Sequence, residues 1–200
     1  MSATRFNVRK MTIIAMMSAI AIVIYYLDFP VPLMPSFIKL DLSNVISLLA
    51  GFALGPVEGV AVCLIKNLVH VIIKGMGTTM GIGDIFDFVT SAAFALTASL
   101  IYQRNKNKIQ AIKACIVGVV VFTLISLPLN YFIVYPIYFK AFGGEAAILG
   151  MYQEIMPDVG SIFKALCIFN LPFTFVKGVI CALITIIVYK PLSPLLKGKK

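Results

Sequence analysis

A lysine set inside a long apolar run fixes what this chain can become. Residues Asn170 to Tyr189 read NLPFTFVKGVICALITIIVY, long enough to cross a bilayer, with Lys177 well inside. Asn170, Thr174 and Lys177 stand at i, i+4 and i+7, so on a helix they share one stripe. An ammonium at such depth costs about 2.5–3.5 kcal/mol on insertion scales. A membrane helix must therefore turn it toward protein, water or ligand, unless the side chain snorkels to the surface. The stripe reads as one wall of a small-molecule pocket open to the outside.

Hydrophobic residues make up 60% of the 200 residues and charged ones only 12%, where a soluble domain carries about a quarter. The expected class is all-α, a polytopic membrane protein in the lipid bilayer, forming one integral domain over residues 1–200. Strand-like alternation is absent, which argues against a β-barrel. The net charge of +9 does not point to nucleic acid, because the basic residues lie between apolar spans rather than on one polar face. Cys63, Cys115, Cys167 and Cys181 have no CxxC or Cys/His spacing and read as small apolar filler, so no metal is expected. The basic start followed by an apolar run resembles a signal peptide, but no small-x-small cleavage site follows. It reads as the first membrane helix.

Six helices are expected, at about Met11–Leu27, Asp41–Leu54, Val57–Ile73, Asp84–Tyr102, Ala111–Tyr135 and Asn170–Tyr189. Between the first two, Pro30, Pro32 and Pro35 forbid a continuous helix, and the apolar residues among them suggest a buried or capping loop rather than a solvated one. Gly55-Pro56 ends the second helix sharply. Lys74–Gly83 reads as a glycine-rich turn, and Pro191 as the stop of the last helix. The connection from Pro136 to Phe169 is long, with Val159–Phe169 a candidate interfacial helix. An even number of crossings puts both termini on one side. With that side cytoplasmic, eleven Lys and Arg fall inside and four outside, and Lys66 and Lys177 lie within spans. This agrees with the positive-inside rule.

In that orientation the costly polar groups gather in the outer half. Lys177 lies about 10 Å below Asn170 at 1.5 Å per residue. Asn130 is at comparable depth on the fifth helix, and Asp41, Asp84 and Asp87 open the second and fourth. Asp41 and Asp84 equally suit helix capping, and Asn130 could serve backbone groups freed by Pro128. Lys66, Asn67 and His70 suit interhelical hydrogen bonds better than ligand contact. Ala15 and Ala19 form a small-xxx-small pair on the first helix, for which packing within the chain is the default. There is no GxxxxGK[ST], HExxH or GxSxG motif. Nothing in the sequence would drive transport or catalysis alone, so the chain is not expected to be an enzyme, and a transport role would borrow its energy.

FIKLDLSN (Phe37–Asn44), LLAGFALGPVEGVAVCLIKNLVH (Leu48–His70), GIGDIFDF (Gly81–Phe88) and NLPFTFVKG (Asn170–Gly178) together resemble the riboflavin-specific substrate-binding component of energy-coupling factor (ECF) transporters. The resemblance spans nearly the whole chain. It implies capture of riboflavin, a transported ligand rather than a cofactor, from outside a bacterial plasma membrane. It also implies partners: an ECF transmembrane coupling protein and two ABC ATPases. On the matching positions, Asn130, Thr174 and Lys177 would meet the flavin, with the Gly83 and Asp87 region contributing from the fourth helix. Ala15 and Ala19 match the positions that dock the coupling protein. Asn170 shares the lysine stripe, and Asp84 or Asp41 would accept from ribityl hydroxyls. The family often has Asn at Thr174, and GE…NF over Gly83–Phe88. Rival readings are another vitamin or a purine-like ligand on the same architecture, an intramembrane enzyme built on Lys66/Asn67/His70, and a stand-alone carrier.

Overall fold

The computed structural model describes residues 8–75 and 81–197, with side chains through residue 189. Residues 76–80, half of the glycine-rich turn, lie outside the described residues, as do Arg5, Lys199 and Lys200. Long helices dominate, as an apolar chain must satisfy its backbone internally. They are α1 (Val8–Tyr26), α2 (Asn44–Ala53), α3 (Pro56–Lys74), α4 (Ile82–Arg104), α5 (Lys108–Leu129), α6 (Tyr135–Ala141), α7 (Glu145–Gln153), α8 (Ile162–Ala165) and α9 (Leu171–Lys197). A two-residue antiparallel ribbon, β1 (Phe29–Pro30) with β2 (Lys39–Leu40), closes the proline-rich loop between α1 and α2.

Among the described residues, five helical stretches are long and apolar enough to cross a membrane, two of them joining several of these helices: Lys108–Ala141 and Ile162–Tyr189. The sixth expected crossing, α2, has 10 residues and rises only about 15 Å. Eight of those ten residues are buried, because α1, α3, α4 and α9 surround it. Its packing against α3 and α4 is close. A Cβ on Gly59 would lie 3.0 Å from Gly51 Cα, and one on Gly51 would lie 3.0 Å from Ser99 Cβ. Gly51→Ala is accordingly expected to cost about 1–3 kcal/mol by overpacking, read as a lower melting temperature in detergent.

The last two long helices differ from the expected bounds for a common reason. Pro136 and Pro172 lack the N–H that would continue an α-helical ladder. One residue before each, the ladder slips to a wider turn: Tyr135 N–H bonds the Asn130 carbonyl, and Leu171 N–H bonds that of Leu166. The resulting π-helical turns, Asn130–Val134 and Leu166–Asn170, let each helix run on through its proline. The fifth span thus reaches Ala141 rather than Tyr135, and the last begins at Ile162 rather than Asn170. Val159–Phe169 is therefore mostly part of the last helix, not a separate interfacial one. Pro191 does not stop α9, which continues to Lys197. The long connection also folds into α6 and α7, packed on each other around Tyr135, Ile148 and Tyr152.

Candidate ligand-binding site

At the loop end of the bundle lies a cavity of about 510 Å³, within the roughly 300–1,000 Å³ typical of small-molecule sites. Its walls come from α1, α3, α4, α5, α9, the π turns, α6 and the proline-rich loop. Gly83, Asp84, Asp87, Asn130, Asn170, Thr174 and Lys177 all line it. Phe86, Phe122 and Phe173 supply apolar wall, and Phe37 reaches in from the loop. Phe37 is held among rings, 6.5 Å from Tyr135, 5.5 Å from Tyr138 and 6.4 Å from Tyr152 between centroids. The loop itself is mixed rather than buried: Leu33, at φ +64°, is 78% exposed.

Lys177 is not a free donor. Its Nζ lies 2.6 Å from Asp41 Oδ2 and 3.7 Å from Asp87 Oδ1. The other Asp87 oxygen takes Lys66 Nζ at 2.8 Å and Asn67 Nδ2 at 3.1 Å. Lys66, fully buried, also donates to Ser43 Oγ and to Asn44 Oδ1 at 3.0 Å. Carboxylates and ammoniums thus alternate, Asp41–Lys177–Asp87–Lys66, and their charges cancel. Burial alone would raise the Asp41 carboxyl, but the Lys177 and Lys66 ammoniums hold it well below the usual carboxylate range. Asp41 also accepts the Ser43 N–H at 3.0 Å, so it fixes the entry to α2 while Ser43 stands at the N-cap. Because Asp41 is depressed in the folded state, its stabilisation is complete above the unfolded pKa of about 3.9 and fades as pH falls through the folded value. Its contribution to the detergent melting temperature should therefore be constant from about pH 5 to 8 and decline only below about pH 4.

The remaining site residues divide by whether their polar atoms are already used. Asn170 is: Tyr152 donates to its Oδ1 at 2.7 Å, and its Nδ2 donates to Tyr135 Oη at 3.0 Å, while the two tyrosine hydroxyls bond each other. Asn170 therefore props the π turns rather than waiting for a ligand. Asn130 and Thr174 are each 6% exposed, and their side chains bond no other described residue. Asn130 does not spend its amide on backbone freed by Pro128. Gly83 keeps room beside Tyr138, whose hydroxyl would stand 3.6 Å from an added Cβ. Asp84 takes His70 Nδ1 on Oδ1, which also accepts from Tyr25 Oη at 3.2 Å. Lys66, Asn67 and His70 thus serve interhelical bonds and split between two carboxylates. No group of three or more potential metal ligands occurs among the described residues.

The sequence reading missed the partnership of Asp41 with Lys177 and the roles of Phe37, Tyr138 and His70 on the cavity wall. A signal was present: two lysines within spans require two acids at similar depth, and Asp41 and Asp87 were available. Ala15 and Ala19 point away from the bundle. α1 packs through Met17, Ser18 and Ala21, leaving both alanines exposed instead of packed within the chain.

The profile described as ECF transporter, substrate-specific component, matches residues 9–189. The chain belongs to that family. The substrate-specific component described here is similar to riboflavin transporter RibU of Staphylococcus aureus (strain TCH60), 33% identical over 190 residues, spanning 94% of this chain and 93% of the relative. It is 25% identical to riboflavin transporter FmnP of Bacillus subtilis (strain 168) over 97% of both chains. A solved S component of a bacterial ECF transporter superposes with a TM-score of 0.73 at 32% identity, covering 94% of this chain and 98% of that one. The chain is a multi-pass protein of a bacterial plasma membrane, in a family of transporters.

Proposed function

We propose that this component captures riboflavin from the outer side of the membrane and delivers it for uptake driven by a separate ATPase module. The observation that carries the reading is the pair of buried polar groups, Asn130 and Thr174, whose side chains bond no other described residue, in a cavity with aromatic walls and internally neutralised charges. A flat, uncharged ring with imide and carbonyl groups on one edge needs an apolar slot with a few directed hydrogen-bonding groups. The names of the similar transporters support the same ligand. Lys177, already paired, serves the site by holding the loop through Asp41 rather than as the first donor to the ring.

Six crossings with cytoplasmic termini accord with the charge distribution. The short α2 counts as a crossing because protein rather than lipid encloses it. The exposed Ala15 and Ala19 face, with Met16 and Ile20 beside it, suits docking of a transmembrane coupling protein that carries two ATPases. The whole chain acts as one binding domain without catalysis of its own.

A visible absorption spectrum of the detergent-purified protein tests the ligand. A flavin spectrum in near-stoichiometric amount, released on denaturation, supports the reading. A colourless protein that also leaves added riboflavin's fluorescence unquenched would transfer the same architecture to another ligand.

A further inference from the structure

The cavity has a second polar wall, carried by other elements than those that hold Asn130 and Thr174. It is built from α1, α3 and α4, whereas Asn130 follows α5 and Thr174 sits on α9; α3 packs on α1, α2 and α4, and α5 on α4 and α9. His70, 5% exposed, lines this wall with Asp84 and Tyr25. Its ring packs against two others, Tyr25 at 4.3 Å and Tyr26 at 5.0 Å between centroids. Nδ1 lies 2.5 Å from Asp84 Oδ1. A carboxylate accepts, so Nδ1 carries a proton, and Nε2 is the ring nitrogen left for a further hydrogen bond. Tyr25 also uses Oδ1, and neither His70 Nε2 nor Asp84 Oδ2 bonds a described residue.

We propose that His70, oriented by Asp84, is a specificity-determining residue that recognises the hydroxylated side chain of the ligand. Nε2 and the second Asp84 oxygen, borne by adjacent groups, complement a polyol, whose hydroxyls on neighbouring carbons both donate and accept. The ring edge then meets Asn130 and Thr174 on one wall while the polyol reaches the other. The assignment rests on the riboflavin reading and adds the group that separates riboflavin from the same ring without its polyol.

The test compares riboflavin with lumiflavin, whose ring bears a methyl in place of the ribityl chain, by fluorescence quenching on the full-length protein in detergent. His70→Ala is expected to weaken riboflavin roughly tenfold or more, and lumiflavin less than about twofold, since a ligand without hydroxyls makes no use of Nε2. Retained lumiflavin binding also reports a folded site. His70→Gln, which keeps an acceptor, should recover part of the riboflavin loss, and it serves as the test variant if the alanine protein does not accumulate. Equal loss for both ligands would make His70 a structural support and overturn the proposal, as would an unchanged riboflavin to lumiflavin ratio in the variants. An intact protein that binds lumiflavin and riboflavin equally would leave the flavin reading standing and remove the polyol subsite. Failure of the intact protein to bind either would defeat the flavin reading, and this assignment with it.

Discussion

Lys177→Ala is expected to destabilise the protein by about 3–5 kcal/mol, because it leaves Asp41 buried beside a vacancy where its ammonium stood. Removing one member of a buried ion pair is far worse than removing both, since the surviving charge keeps its desolvation cost. Lys177→Met combined with Asp41→Asn should therefore melt well above Lys177→Ala. A double-mutant cycle on melting temperature in detergent measures the coupling. A Lys177→Ala protein that melts with the unaltered one would mean that the Lys177–Asp41 bond carries no stability. The same variants separate two ways of losing ligand. Loss through a loosened loop should be recovered in the paired double variant, whereas loss of a direct contact to Lys177 should persist.

Asn130→Leu is expected to weaken riboflavin binding by about 10- to 100-fold with little change in melting temperature. The leucine removes a donor and an acceptor from the cavity, and a desolvated ligand group left without its partner costs about 1–3 kcal/mol. Asn130 bonds no other described side chain, so the apo protein loses no internal hydrogen bond. Titration by fluorescence quenching gives the affinity, and a parallel melt gives the stability. An affinity within twofold of the unaltered protein would place the ring edge elsewhere. A large drop in melting temperature would show instead that Asn130 supports the π turn at its own position.

The helices were legible because the bilayer permits few alternatives: length, apolarity and proline punctuation were enough to find α1, α3 and α4. Where the reading failed, the deciding interactions were remote in sequence. The last helix seemed to begin at Asn170, yet the wide turn before Pro172 joins Ile162–Asn170 to it. A proline in an apolar run reads as a stop only when nothing upstream can absorb the missing donor. The site residues were found for a sound reason, since polar groups at depth require a purpose, and all seven line one cavity. Their division of labour was not legible. Lys177 and Asp41 are 136 residues apart, so periodicity could not show that the most conspicuous polar side chain is already committed while the inconspicuous Thr174 is open.

The alternation of Asp41, Lys177, Asp87 and Lys66 also bears on the order in which the chain is made. Once α4 has emerged from the ribosome, the partial bundle holds Asp41, Lys66 and Asp87, two negative charges against one positive. The balancing cation is supplied only by α9, the final span. Until it docks, the partial cluster lacks one counter-charge, which a carboxyl can replace only by taking up a proton. Docking of the last helix is thus coupled to electroneutrality.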